Sequence, residues 1–111
     1  MILPNGVELS PLIELVAVTP DYYLGTERVG DATFVHGRVF VRWTRSLARE
    51  VRAAVDDLAA AHGGPLFVAS HQPHNGDHVK FAKFVHLMGF SFLRTVRGTD
   101  GADHAVFVRR A

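Results

Sequence analysis

The sequence contains no cysteine. Without thiols there can be no disulfide framework, no thiolate metal site and no cysteine nucleophile, so those redox and catalytic chemistries are excluded. An excess of one charge is missing too, because 12 Lys and Arg residues face 11 Asp and Glu residues and leave a formal net charge of +1. Such a balance provides no general attraction to nucleic acid or to a membrane surface. Binding to nucleic acid or to a membrane would need a local patch of positive charge.

Long apolar runs are also missing. Glu, Pro or Arg interrupts every apolar stretch before the roughly 18 residues that a membrane-spanning helix needs, and the first residues lack the basic start of a secretory signal. We therefore expect a soluble, intracellular protein without a membrane span. The chain does hold 48% hydrophobic residues, 8 Phe among them. That is enough to bury a core in a single domain over residues 1–111.

Residues 38–61 decide the predicted architecture. Residues 39–41 alone would fit a strand after a hairpin turn at His36-Gly37. At about 100° per residue, however, one arc of a helix collects the apolar residues Phe40, Trp43, Leu47, Val51, Ala54 and Leu58. The opposite arc collects the arginines Arg38, Arg42, Arg45, Arg49 and Arg52. Because a strand would not separate the two sets in this way, the pattern predicts an amphipathic helix over residues 38–61, which ends at Gly63-Gly64-Pro65.

Strand patterns lie on both sides of this helix. They cover residues 12–18 (a largely buried strand), 21–24, 66–70, 90–96 and 105–108. A second helix over residues 76–88 is capped by Asn75-Gly76-Asp77 and ends at Gly89. The last two strands flank a Gly-Thr-Asp-Gly turn and predict a C-terminal hairpin. Together, these helices and strands predict an α+β fold, with a mixed, twisted sheet of five or six short strands that carries one long and one shorter helix.

This order of elements resembles the C-terminal part of the GNAT (Gcn5-related N-acetyltransferase) superfamily. The most specific block is Asn75-Gly76-Asp77-His78-Val79-Lys80-Phe81 leading into Met88-Gly89-Phe90. Together with Leu24-Gly25-Thr26 and Arg38-Val39-Phe40-Val41-Arg42, it is similar to short tailed-phage proteins of GNAT type, which are labelled internal virion proteins or acetyltransferases. The resemblance covers residues 12–109. It implies a trimmed GNAT-like domain whose N-terminal part is missing or reduced.

The resemblance also implies where acetyl-CoA would bind. Active members hold its pyrophosphate on backbone N–H groups of an Arg/Gln-x-x-Gly-x-Gly/Ala loop at the start of the central helix. Residues 28–32, Arg-Val-Gly-Asp-Ala, match this loop weakly, since one residue is lacking and Asp31 would repel phosphate. The Asn of the second helix can contact the pantetheine arm. The candidate cofactor contacts are therefore Arg28, Gly30, Ala32 and Asn75, although helix capping alone also explains Asn75.

Two departures from the family bear on activity. Many members use a Tyr four residues before the Gly of Gly-Phe as the acid toward the leaving thiolate, and Val85 stands there in this chain. The strand and paired helices that form one wall of the acceptor site are also reduced. The sequence therefore favours a virion-associated protein, made in the host cytoplasm, that uses a non-catalytic scaffold for assembly without a cofactor or catalytic residue. The alternative is an active acetyl-CoA-dependent N-acetyltransferase that modifies an amine on a host or phage protein.

Two further sets of residues are candidates for binding. The five arginines and His78 are predicted to contact partners, either copies of the chain, other virion proteins or an acidic or phosphate-bearing molecule. For the arginines, a solvated helix face with i,i+4 pairs is the simpler explanation and is favoured over a contact. His71, His74 and His78 have the density of a zinc site, but Pro73 and the cap at Asn75 place His74 before the helix. We therefore predict no metal.

Overall fold

A computed structural model of the chain describes residues 2–3, 6, 8–70, 77–99 and 101–110, with only the backbone described over 77–80. The described residues form, in chain order, β1 (Glu14–Val18), β2 (Tyr22–Val29), β3 (Ala32–Val39), α1 (Arg45–His62), β4 (Leu66–Ala69), α2 (Asp77–Leu87), β5 (Ser91–Arg97) and β6 (Asp103–Arg109). Within these ranges, no helix is both long and apolar enough to cross a bilayer.

The strands form one mixed sheet in the order β1-β2-β3-β4-β6-β5. β3 and β4 are parallel, and every other neighbouring pair is antiparallel. A parallel pair needs a long crossover, which α1 provides, while α2 carries the chain from β4 to β5 at the edge. The predicted α+β fold with a mixed sheet, two helices and a C-terminal hairpin is confirmed.

The β2–β3 hairpin corrects the sequence analysis. The sequence patterns place no strand between residues 24 and 38, and they offer His36-Gly37 only as an alternative hairpin turn. Instead the strands pair continuously from Tyr22↔Val39 to Val29↔Ala32. The turn lies at Gly30, whose φ of 61° favours glycine. Within β3, His36 and Arg38 lie on the face opposite to that of Val35 and Val39, because successive residues of a strand point to opposite faces.

The long helix begins at Arg45 and not at residue 38 as predicted. Val39 is paired in the sheet, and the Phe40 N–H donates to the Asp21 carbonyl at 2.8 Å, so this backbone is committed to β-structure. Thr44 then caps the helix, since its hydroxyl accepts from the Leu47 N–H at 3.1 Å. The predicted C-terminal stop is confirmed, because Gly63 adopts φ 72° and its N–H donates to the Ala59 carbonyl.

Both helices pack against the same face of the sheet. α1 buries Leu47, Val51, Val55 and Ala59 in a core shared with residues of β2, β4, α2 and β6. The opposite face has a smaller cluster, formed by Leu3, Leu9 and Tyr23. The expectation that the first strand is largely buried is wrong. β1 is an edge strand in which exposed and half-buried residues alternate, because no strand of the described chain lies beyond it.

Arginines fix the end of α2. The predicted glycine stop is confirmed at Gly89, with φ 91°. Arg52 of α1 donates to the Leu87 carbonyl at 2.5 Å, and Arg109 of β6 donates to the Met88 carbonyl at 3.1 Å. Cations are favourable at this end of a helix because its last carbonyls lack partners within the helix. Asp56 joins the two arginines, lying 2.8 Å from Arg52 and 2.7 Å from Arg109.

This cluster predicts an acid-dependent loss of stability. Hydrogen bonds from Arg52, and then from Arg109, hold the pKa of Asp56 below its ordinary value of 3.8. A carboxyl whose pKa is lower in the folded than in the unfolded state stabilises the fold above the ordinary value, and that contribution disappears as the pH falls through the folded value. Urea unfolding of Asp56→Asn should therefore show a lower midpoint than wild type at pH 6 and a difference that shrinks as the pH falls below the ordinary pKa of 3.8.

The matched control for this prediction is Asp57→Asn on the exposed side of the same helix turn. Its urea midpoint should follow that of the wild type across the pH range. If Asp56→Asn and wild type differ by the same amount at pH 2 and pH 6, the carboxylate does not contribute through its ion pairs.

Candidate functional site

The parallel strands β3 and β4 separate soon after they meet. Phe34↔Phe67 is the single residue pair in register between them, and the two rings lie 5.7 Å apart. Beyond this pair, a cavity of about 600 Å³ lies between the carboxyl ends of the two strands. In open sheets with helical crossovers, this is the place where ligands bind. The fold therefore puts this cavity at the one parallel junction of its described strands.

The walls of the cavity are mostly apolar. They come from β2, β3, the segment before α1, α1, β4, α2 and the turn after α2. The apolar side chains are Leu24, Val35, Val39, Trp43, Val51, Val55, Val68, Ala69, Phe81, Phe84, Val85, Met88 and Phe90. Trp43, just before α1, packs edge-on against Phe84 at 5.2 Å and is 39% exposed. A slot of this kind suits a ligand with an extended, partly apolar arm.

Four polar side chains also line the cavity, namely Tyr22, Tyr23, His36 and Arg38. Burial raises the pKa of Tyr22, and the negative charge of Glu50 raises it further. Burial also raises the pKa of Tyr23, although Arg38 partly opposes this. Both phenols therefore keep their protons at neutral pH and can donate hydrogen bonds.

His36 is held by a carboxylate on the neighbouring strand. Its Nε2 lies 2.9 Å from Oε1 of Glu27, and the two side chains are 19% and 24% exposed. Both residues are on strands of the rigid β2–β3 hairpin, where alternation places them on the face opposite the helices. A carboxylate beside an imidazole orients the ring, as in many proton-transfer sites. The sheet thus brings an oriented histidine to the wall of the cavity.

The predicted phosphate loop does not have the expected location. Arg28, Gly30 and Ala32 form the β2–β3 turn, where the Arg28 Nε donates to the Gly30 carbonyl at 3.3 Å. α1 starts after the other end of β3. An eight-residue strand is about 23 Å long. These three residues therefore do not surround the start of the central helix. The residues that do are 40–44, and none of them is glycine.

The five arginines do not form one stripe. Arg38 lies in β3 and Arg42 in the segment before α1, so neither is on the helix. Arg52 is engaged with Asp56 and the Leu87 carbonyl. Arg45 and Arg49 remain exposed on α1. The predicted partner face is therefore reduced to these two helical arginines, since the strand ends where the helix was expected to begin.

The other predicted site residues concern the start of α2. Asn75, His71 and His74 lie outside the described residues, and His78 is described only as part of the α2 backbone. In the described part of the chain, no three His, Asp or Glu side chains converge as metal ligands would. Val85, at the position of the family's tyrosine, is 2% exposed in the core.

Comparison with known proteins supports the fold. No protein-family model matches the sequence, and neither does any curated protein. Solved structures of the aminoglycoside acetyltransferase AAC(6')-Ib do match. Its complexes with paromomycin and acetyl-CoA, and with coenzyme A and kanamycin, each give a TM-score of 0.64, and its complex with ribostamycin and coenzyme A gives 0.63.

The likeness is one of architecture. Sequence identity is 13% in each case, and each match covers 83% of this chain. The chain spans 59%, 60% and 58% of the length of the enzyme in those three structures. The fold is therefore GNAT-like, as the motifs around Gly89-Phe90 suggested.

Sequence analysis missed the residues that the cavity presents most clearly. His36 was assigned to a possible turn and Trp43 to the apolar arc of a helix, and Glu27 received no role. A signal was present, because the polar residues His36 and Arg38 alternate with Val35, Gly37 and Val39 with the period of a strand. The spacing of the arginines favoured a helix over this strand. In the fold, however, the arginines do not form a single stripe.

Proposed function

We propose that the chain binds an acyl-CoA in the cavity between β3 and β4 and promotes transfer of the acyl group to an amine. The observation that carries this proposal is the apolar cavity of about 600 Å³ at the separated parallel strands of a GNAT-like fold. The AAC(6')-Ib structures with this fold contain acetyl-CoA or coenzyme A. Past the Phe34–Phe67 pair, the facing edges of the strands can offer backbone groups to the amides of a pantetheine arm.

The phosphate end of the ligand needs a different solution from the family's glycine loop. Residues 40–44 contain no glycine, and Thr44 uses its hydroxyl to cap the Leu47 N–H. Arg42 and Arg45 flank this cap and are exposed. At the positive end of α1, guanidinium groups can bind phosphate oxygens in place of a glycine loop. We assign the phosphate contacts to these two arginines.

Proton transfer is assigned to the polar groups of the cavity. An acyl-CoA supplies an acyl group that is already activated as a thioester. His36, oriented by Glu27 at 2.9 Å, accepts the proton of the attacking amine. Tyr22, whose phenol is protonated at neutral pH, is assigned as the proton donor to the thiolate that leaves when the carbon–sulfur bond of the thioester breaks. Val85 cannot take that role, since its side chain has no exchangeable proton.

A thermal-shift titration with acetyl-CoA tests ligand binding. A ligand at 100 times its Kd stabilises a protein by about 2.7 kcal/mol, so a clear rise in Tm is expected for the wild type. Ala69→Phe places a ring in the cavity wall and should abolish the shift, because it fills the space that the arm needs. Ala53→Phe, on the exposed side of α1, is the matched control and should keep the shift. No rise at millimolar acetyl-CoA in the wild type would contradict the proposal.

A second candidate function rests on different observations. We propose it as a virion-associated protein, made in the host cytoplasm, that uses the GNAT-like scaffold for assembly and needs no cofactor. Buried Val85 in place of a tyrosine and the segment 40–44 without glycine favour it. Its partners would be copies of itself or other particle proteins, with Arg45 and Arg49 facing an acidic or phosphate-bearing surface. Mass spectrometry of purified particles tests it, and absence of the chain from them would exclude this function.

A further inference from the structure

The two edges of the sheet carry opposite charges. β1 forms one edge and β5 the other, and in the described part of the chain no strand pairs with the outer side of either. β5 contains Arg94 and Arg97 and no acidic residue. β1 contains Glu14 and no basic residue. Each edge thus offers a strand backbone together with charge of a single sign.

Both edges also expose apolar side chains. Every residue of β5 is exposed, including Phe92 at 60%, Leu93 at 38% and Val96 at 39%. On β1, Val16 and Val18 are 47% and 43% exposed. An exposed strand edge with such side chains is a template for pairing with another strand. Apolar groups concentrated at an edge mark it as a contact surface.

The charges decide which strand fits each edge. Arg97 is 3.5 Å from Asp103 in an exposed ion pair, whereas Arg94 and Glu14 have no ion-pair partner among the described residues. Two β5 edges side by side would bring arginines together, and like charges across paired strands are destabilising. A β5 edge beside a β1 edge brings opposite charges together. The chain itself therefore contains the strand that complements β5.

We infer that copies of this chain associate head to tail, with β5 of one copy pairing with β1 of the next. The antiparallel and parallel pairs of the sheet make β1 and β5 run in the same direction. Repetition of one contact therefore forms a parallel strand pair at each junction and continues the sheet from copy to copy. Such a contact produces open chains of subunits or closed rings, depending on the rotation between copies.

Sedimentation and light scattering over a range of concentrations test this inference. The wild type should show a mass that rises above 12.2 kDa as the concentration increases. Glu14→Lys blocks one edge, and the double variant Arg94→Glu/Arg97→Glu blocks the other. Because each exchanges an attraction for a repulsion, each should weaken self-association at least about tenfold. An equimolar mixture restores opposite charges at both kinds of junction, since the intact β5 edge meets an intact β1 edge and the two altered edges also carry opposite charges, so the mixture should associate again although each variant alone does not.

Charge-matched variants on α1 provide the control. Glu50→Lys and Asp57→Lys make the same charge change as Glu14→Lys at exposed residues of α1, away from both edges, and should associate as the wild type does. A wild type that stays monomeric at millimolar concentration overturns the inference. It is overturned equally if Glu14→Lys still associates fully, or if the mixture of the two edge variants stays monomeric. The inference does not rest on acyl-CoA binding, and acetyl-CoA titrations leave it unaffected.

Discussion

Replacing Leu66 with alanine is expected to lower the free energy of unfolding by about 2–5 kcal/mol. Leu66 starts β4, has 0% of its surface exposed, and belongs to the core that both helices share. Truncation removes buried apolar surface and leaves a void, because close-packed neighbours on α1 and α2 cannot collapse fully into it. A loss of this size is a large part of the stability of a small domain.

The control uses the same substitution at an exposed position. Leu12→Ala, where the side chain is 71% exposed, should change the free energy of unfolding by less than about 0.5 kcal/mol. Urea titrations of both variants at pH 7, with the same slope on denaturant, make the comparison. Equal losses for the two variants would show that β4 is not the centre of the core.

Replacing His36 with glutamine is expected to lower the rate of acyl transfer by about 10²–10⁴-fold, the range that general acid–base catalysis provides. Glutamine keeps a polar group of similar size beside Glu27 but cannot take up the proton of an amine. The affinity for acetyl-CoA in the thermal-shift titration should stay close to that of the wild type. A much lower rate with unchanged acetyl-CoA affinity would show that His36 acts in proton transfer and that the cavity is still intact.

Glu27 provides the matching test of orientation. Glu27→Gln keeps a polar side chain of the same size beside His36 but removes the charge, so the rate should fall, though less than in His36→Gln. The Arg28→Gln variant, at the β2–β3 turn, should transfer acyl groups as the wild type does. A His36→Gln variant with full turnover would exclude the imidazole from the reaction.

Local patterns predicted the C-terminal half of the fold well. The glycine stop of α1, the strand β4, the Gly89-Phe90 end of α2 and the last hairpin all depend on residues close together in the sequence. Capping, turn chemistry and periodicity act over these short distances. The GNAT resemblance rests on the same segments, which is why it gave the correct architecture.

The central region was predicted less well because its structure depends on distant pairing. Arginines at spacings of three and four fit a helix, yet Val39 is held by Tyr22 of the preceding strand. The register of a hairpin is not visible in the periodicity of one of its strands. The candidate site has the same origin, since the cavity exists only where β3 parts from β4, and Phe34 and Phe67 lie far apart in the sequence.

The sheet has two halves of three strands each, β1-β2-β3 and β4-β6-β5, and the single pair in register between them is Phe34↔Phe67. The angle between these halves sets the width of the cavity between β3 and β4. α1 packs against strands of both halves. A substitution far from the cavity can therefore change the binding affinity for the proposed ligand if it changes the angle between the two halves of the sheet. The affinity for the proposed ligand would therefore depend on the angle between the two halves of the sheet as well as on the residues that line the cavity.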